Sequence, residues 1–110
     1  MKELKAYIRP VHAHRVIEVL KQAGIRNLSV IHVRGIGLFE DVETEEFDLE
    51  FIEKSGDTPQ LEIICSHDDA ERYVEIIKEQ ARTGKSGDGA IFLSTVERAA
   101  RIKTGEEGIA

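Results

Sequence analysis

The chain has 110 residues and a formal net charge of −6, and 41% of its residues are hydrophobic, which suits a single globular domain over residues 1–110. Its one cysteine, Cys65, excludes an intrachain disulfide, and the chain has neither a signal-peptide pattern nor an apolar run long enough to span a membrane, so we expect a cytoplasmic protein. It also has no basic stripe with interleaved aromatic residues, which argues against nucleic-acid binding.

The first third of the chain predicts a strand, a helix and a second strand. Apolar and polar residues alternate through Leu4–Ile8, which is the period of a strand. Pro10 suits a helix start, and the apolar residues that follow recur at helical spacing until Gly24 closes the helix. Leu28–Val33 is predicted as the second strand.

The second half of the chain repeats the order strand, helix, strand. Leu61–Cys65 is predicted as a strand, and Ser66 with Asp69 three residues later resembles a capping box at the start of a helix that reaches Ala81. Ala90–Thr95 is the fourth strand. The order βαββαβ is typical of the ferredoxin-like α+β fold, an antiparallel sheet with both helices on one face.

The predicted strands alternate too poorly for a sheet with one solvated face. Leu28 and Val30 face one way. Ile31 and Val33 face the other way, and Phe92 points away from both of its apolar neighbours. Both faces are therefore expected to be buried, which one domain of this order does not achieve alone. We expect other copies of the chain to cover the second face.

The connection between the second and third strands, residues 38–57, is long and strongly acidic. It holds nine acidic residues and one lysine, a charge of −8, so the rest of the chain carries +2 of the total of −6. A connection of this length in a small domain is usually functional. Phe47, Leu49 and Phe51 alternate with acidic residues within it, which favours an arm that docks onto a partner over a loop without one.

A glycine-rich segment, Thr83–Gly89, precedes the fourth strand. Three glycines within six residues make a loop whose backbone amides can turn toward an anion, and Lys85 adds a positive charge. The Gly84–Ser86 triplet does not belong to a Walker A motif, because position 79 is glutamate and a strand rather than a helix follows.

A second basic segment with glycines, Arg101–Gly108, ends the chain. The two segments read Thr-Gly-Lys-x-Gly-Asp-Gly-x-Ile-Phe and Arg-Ile-x-Thr-Gly-Glu-Glu-Gly. Together with Gly35-x-Gly37 they closely resemble the loops of the nitrogen regulatory protein P-II family, over essentially the whole chain. The corresponding segments are 83–90 for the B-loop, 96–110 for the C-loop and 38–57 for the T-loop.

The resemblance implies a homotrimer that binds an adenine nucleotide, ATP, ADP or AMP, in each cleft between subunits. The expected contacts are amides of Gly87, Asp88 and Gly89 for the phosphates, Gly35 and Gly37 for close backbone approach, Arg101 and Lys103 for charge, and Ser29 and Ile64 beside the adenine. It also implies that the 38–57 arm docks onto a membrane transporter or an enzyme, without insertion into the membrane.

Two departures from the family pattern weaken the cationic contacts around the phosphates, and one of them removes a charge. Ala90 stands where a lysine is usual, and Lys103 replaces an arginine, which gives up bidentate geometry. Fewer cations around the distal phosphates favour ADP or AMP over ATP.

Other departures affect the second effector and the covalent modification of the family. Leu38 and Phe39 replace an Arg-Gln pair whose glutamine helps to hold Mg²⁺ and 2-oxoglutarate, and Thr58 replaces a lysine that pairs with 2-oxoglutarate. Standard 2-oxoglutarate sensing is therefore not expected, and the role of Mg²⁺ stays open. Phe51 lacks the hydroxyl that uridylylation requires.

Two other classes of protein remain as alternatives. The first is a metal-binding trimer of the divalent-cation tolerance type, which shares the fold, although Cys65, His67 and the other histidines have no spacing typical of a metal site. The second is a small enzyme that binds a phosphorylated substrate at the glycine loop. We find no nucleophile–base arrangement, so we predict no catalytic residues and no enzyme.

Overall fold

The computed structural model of the chain describes residues 1–34 and 57–108. The elements are β1 (Lys2–Ile8), α1 (Pro10–Gln22), β2 (Ser29–Val33), β3 (Thr58–Cys65), α2 (His67–Ala81) and β4 (Gly89–Thr95). The strands form one sheet in the order β2-β3-β1-β4, and every neighbouring pair is antiparallel. The predicted ferredoxin-like α+β fold is confirmed.

Both helices begin and end where the sequence indicates. α1 starts at Pro10, and Gly24, with a φ of +92°, follows its last turn. The Ser66 hydroxyl accepts a hydrogen bond from the Asp69 amide (3.2 Å) and caps α2. Only this half of the predicted capping box is observed among the described residues, because the Asp69 carboxylate accepts a bond from Arg72 (3.1 Å).

The core lies between the helices and one face of the sheet. Cross-strand pairs such as Leu4 with Ile63 and Ala6 with Leu61 place apolar side chains on that face. The helices contribute the matching stripes, with Val16 and Leu20 from α1. The buried residues of α2 are Ala70, Tyr73, Ile77 and Ala81.

One strand boundary differs clearly from the prediction. β3 begins at Thr58, three residues before the predicted Leu61, and therefore contains Pro59. Proline normally argues against a strand interior because it cannot donate to the ladder. Here Pro59 pairs with His32 of β2 only, since the β1 pairing stops at Gln60, so Pro59 has a strand on one side alone. The other strands match their predictions to within two residues.

The sheet face opposite the helices is open in the single chain. Ile31 and Phe92 keep 43% and 51% of their surface exposed, and the rings of Phe92 and Tyr7 meet edge to face at 6.1 Å. The expectation that other copies cover this face remains a prediction.

The two ends of the sheet carry different segments. At the loop end, Ile8 pairs with Gly89 and Val33 pairs with Thr58, so the glycine loop and the start of the acidic connection lie there. At the tail end, Lys2 pairs with both Cys65 and Thr95, and the chain leaves toward its C-terminus. Neither α1 nor α2 has the length and hydropathy of a membrane span.

Candidate functional site

The Asp88 carboxylate organises the glycine loop. One of its oxygens accepts bonds from the Arg9 Nε (3.2 Å) and the Thr83 hydroxyl, and the other accepts bonds from the amides of Thr83 and Gly84 (2.8 Å each). Four donors therefore converge on one side chain. Asp88, near the end of the loop, is thus bonded to Thr83 and Gly84 at its start, and these bonds hold the loop closed.

These donors keep Asp88 ionised. The hydrogen bond from the Thr83 hydroxyl is the largest cause, followed by the backbone amide of Thr83, and together with Gly84 and Arg9 they hold the pKa of Asp88 well below its ordinary value of 3.8. The Asp88 carboxylate is therefore ionised, and anchors the loop, at neutral pH.

Gly89 is required by the space around it, and Gly87 is favoured by its positive φ. Gly89 has a φ of +111°, and a Cβ at this position would lie 1.7 Å from the Tyr7 carbonyl oxygen. Gly87 has a φ of +91°, and a Cβ there would lie 3.1 Å from the Arg9 guanidinium. Gly89 is needed where β4 meets β1, and Gly87 lets the guanidinium pack against the loop backbone.

Arg9 is a site residue that the sequence analysis missed. Besides its bond to Asp88, its Nη2 donates to the Ser86 carbonyl, so Arg9 ties the loop to the end of β1. The guanidinium has five N–H donors, of which these bonds use two. Arg9 lies beside the loop because β1 pairs with β4 in antiparallel register, which no local sequence pattern indicated.

The middle of the loop leaves backbone donors available. Among the residues that the structure describes, the amides of Gly87 and Asp88 donate to no protein acceptor, whereas those of Thr83, Gly84 and Lys85 are bonded within the loop. Two adjacent amides at the turn, with Arg9 and Lys85 close in the chain or in space, are suited to an anion such as a phosphate.

The tail forms a small hairpin of its own. Arg98 and Glu107 make a bidentate ion pair with a shortest distance of 2.7 Å, and Ala100 bridges to Glu107. The Arg101 amide donates to the Glu106 carbonyl (2.8 Å). Residues 101–108 are all exposed, and Ile102 is fully so. The hairpin is ordered by its own bonds and presents Arg101 and Lys103 to solvent.

The predicted contact residues fall into three separate places. The Gly87–Gly89 segment lies at the loop end, whereas Arg101 and Lys103 lie beyond the tail end of β4. Because β4 has seven residues, about 20 Å separates the two groups along the strand. One chain does not bring them together.

Ser29 and Ile64 lie on the open face of the sheet. Ser29 pairs with Glu62, so the Ser29, Glu62 and Ile64 side chains point to the same side. The Asn27 side chain fixes Ile64 by accepting from its amide (3.0 Å) and donating to its carbonyl (2.7 Å). Ile64 lies level with Glu3, five residues along β1 from the partner of Gly89, which is about 17 Å.

An ion pair closes the base of the acidic connection. Arg34 Nε donates to Asp57 at 2.7 Å, with both side chains about half exposed, where the chain leaves β2 and enters β3. Thr58 is the first residue of β3. The predictions on Gly35, Gly37 and the arm as far as residue 56 lie outside the described residues.

Within residues 1–34 and 57–108, no group of three or more histidine, cysteine or acidic side chains is placed to hold a metal ion. Cys65 is buried in the core, and burial raises the pKa of its thiol.

Comparison with known proteins shows the family to which the chain is similar. The family model described as nitrogen regulatory protein P-II matches residues 1–106. The chain is 34% identical to the nitrogen regulatory protein P-II of Bradyrhizobium diazoefficiens over 99% of this chain and 97% of that protein. It is 36% identical to nitrogen regulatory protein P-II 2 of Methanothermobacter thermautotrophicus, over 98% and 94% of the two chains. It is also 39% identical to the nitrogen regulatory protein P-II of Rhodobacter capsulatus, over 98% and 96%.

The chain belongs to the nitrogen regulatory protein P-II family, as its loop and tail motifs indicated. It is a regulatory signal-transduction protein and not an enzyme.

Proposed function

We propose that this protein is a homotrimeric sensor that binds an adenine nucleotide in each cleft between subunits and reports occupancy through its acidic 38–57 arm. The phosphates bind the free amides at Gly87 and Asp88, beside Arg9. The neighbouring subunit's tail supplies Arg101 and Lys103. Gly89, Gly35 and Gly37 allow close backbone approach, and Ser29 and Ile64 border the base.

The observation that carries this proposal is the separation of the loop from the tail. Both segments present anion-binding groups, yet about 20 Å of β4 lies between them within one chain. A second copy, packed on the open face with Ile31 and Phe92, offers a tail to the loop of the first. The half-exposed apolar side chains on that face support such packing.

The preferred nucleotide follows from the charges around the loop. The described part of this region offers Arg9 and Lys85, while Ala90 contributes no charge and Lys103 contributes a point charge. We propose that ADP and AMP therefore compete well with ATP. Thr58 at the base of the arm offers no cation to a dicarboxylate, so 2-oxoglutarate has little effect.

The arm connects nucleotide binding to a partner. It begins after Arg34 and returns at Asp57, at the same end of the sheet as the glycine loop. A nucleotide shifts the arm only if it contacts one arrangement better than another, and the neighbouring loop gives it that opportunity. The charge of −8 suits a basic docking surface on a transporter or enzyme.

The proposal is tested by calorimetric titration of the purified protein with ATP, ADP and AMP, with and without Mg²⁺ and 2-oxoglutarate. We expect at least one of the three nucleotides to bind saturably, with one molecule per subunit. We expect 2-oxoglutarate to leave its affinity unchanged. Lys103→Gln should weaken binding about fivefold to tenfold, because one charge-assisted contact is lost. Lys21→Gln, the same change on the exposed side of α1, should leave the affinity unchanged.

Absence of nucleotide binding would contradict the proposal. Tight stoichiometric zinc or copper binding by the same sample would then favour the metal-binding alternative. Docking by the arm is tested separately, by exchanging Phe47, Leu49 and Phe51 for serine. We expect partner binding to be lost and nucleotide affinity to be retained, and unchanged partner binding would exclude the arm as the docking element.

A further inference from the structure

A cleft of about 410 Å³ opens between α2 and the edge of the sheet, below the glycine loop. Its floor is apolar and comes from both layers of the fold. The floor residues are Ile8, Val74, Ile77, Ala81 and Ile91. Its volume lies within the range of small-molecule sites.

The cleft lies where α2 passes the edge strand β4, because α2 packs mainly on α1 and β1. Small residues keep the gap open: Ala81 faces it from α2, and Gly89 and Ala90 line it from β4. Gly89 has no side chain that could fill the gap, and the nearby Tyr7 carbonyl leaves no room for a Cβ at this position.

Positive charge lies at the rim of this apolar floor. Arg82, directly after α2, and Lys78, one turn earlier, both line the cleft. Arg82 has no ion pair among the described residues, and Lys78 has only an exposed pair with Glu75 at 3.6 Å. The Asp88 carboxylate also lines the cleft, but its oxygens accept four bonds from Arg9, Thr83 and Gly84.

We propose that this cleft binds a small amphipathic monocarboxylate, with the apolar body on the floor and the carboxylate at Arg82 and Lys78. An apolar slot with one cationic corner orients such a ligand, because hydrophobic burial holds the body and the ion pair fixes the head. The cleft lies on the helix side of the sheet, whereas the proposed nucleotide site uses the outer amides of the loop and the open face. It is thus a second site, and it does not depend on the proposed nucleotide function.

The test is a titration of the full-length protein with octanoate, followed by methyl NMR of the isoleucines. We expect saturable shifts at Ile8, Ile77 and Ile91 and none at Ile102. Octanamide, with nearly the same chain but no charge, should bind more weakly. Arg82→Gln should weaken octanoate about fivefold, as expected for one exposed ion pair, and leave octanamide unchanged. The matched control is Arg72→Gln on the same helix, which lies away from the cleft and should change neither affinity.

Three results would overturn the proposal. The first is no saturable shift at the three floor methyls, which is also the result if another subunit fills the cleft. The second is equal weakening by Arg82→Gln and Arg72→Gln, which would show a general charge effect. The third is displacement of octanoate by ATP, which would make the cleft part of the nucleotide site. Octanoate binding without any nucleotide binding would refute the proposed function and leave this site standing.

Discussion

The glycine loop and the tail hairpin are both ordered by their own hydrogen bonds, but they differ in how they attach to the body. The loop is joined to β1 through Arg9 and runs directly into β4. The tail has one described backbone bond to the body beyond the end of β4, from the Val96 amide to the Met1 carbonyl (3.1 Å). From residue 101 onward the described tail is entirely exposed.

The difference bears on the proposed nucleotide site, to which each chain would contribute two separate halves. The loop is held closed by bonds within one subunit, so in the proposed site its amides would be arranged before a ligand arrives. The tail is shaped by its own bonds, and among the described residues Ile102 and the neighbouring Arg101 and Lys103 stay exposed. Two prepared halves at opposite ends of a strand are expected to combine only between copies.

The largest effect is expected from a side chain at the junction of loop and sheet. Gly89→Ala puts a Cβ 1.7 Å from the Tyr7 carbonyl oxygen, so either the β1–β4 pairing or the loop must shift. We expect a loss of about 3 kcal/mol in the free energy of unfolding, measured by urea denaturation.

Gly84→Ala is the matched control for this change. Gly84 also has a positive φ, +84°, but a Cβ there meets nothing within 4 Å, so we expect a cost of only about 1 kcal/mol. Equal losses for the two variants would show that backbone conformation alone, rather than the close approach at Tyr7, explains the requirement for glycine.

A mixing experiment tests whether the loop and the tail of one site belong to different subunits. Gly87→Asp places a negative charge among the loop amides, and a double change of Arg101 and Lys103 to glutamate inverts the tail. Each variant alone should bind no nucleotide. After equal amounts are unfolded and refolded together, about one quarter of the sites should combine an intact loop with an intact tail and regain binding.

Calorimetry of the refolded mixture measures the fraction of sites that bind nucleotide. If the two groups of one site came from the same chain, no mixture would restore binding, because every chain carries one defect. Native mass spectrometry of the refolded sample, which separates mixed oligomers from those of one variant, provides the control for subunit exchange. Mixed oligomers without any recovered binding would contradict the shared site.

Local patterns in the sequence were sufficient for the fold. The period of α2 and the cap at Ser66 are near-neighbour effects, and both were predicted. The start of β3 was not predicted, because proline normally breaks a strand. Pro59 is tolerated only because β1 stops pairing at Gln60. Where that pairing stops depends on the register between distant segments.

The predicted nucleotide contacts stay a prediction, but the hydrogen bonds inside the glycine loop were not predicted. The motif pointed to Gly87, Asp88 and Gly89 as a group with one role, namely presenting amides to phosphate. The structure gives them different tasks: the Asp88 side chain shapes the loop, and Gly89 makes room for β1. Arg9 lies 79 residues away from Asp88 in the chain, so no local pattern linked them.

The smallest expected effect is that of pH on Asp88, and it tests whether the glycine loop, unlike the tail, is held in shape by its own subunit. Because the pKa of Asp88 is lowered on folding, its stabilising contribution is present above the ordinary value of 3.8 and is lost only as the pH falls through the lowered value. The carboxyl carbon of Asp88, followed by NMR, should therefore show no titration midpoint near 3.8. A midpoint there would mean that the donors from Thr83, Gly84 and Arg9 do not hold the carboxylate in solution. The loop would then resemble the tail, with a shape that is completed only by a neighbouring subunit or a bound anion.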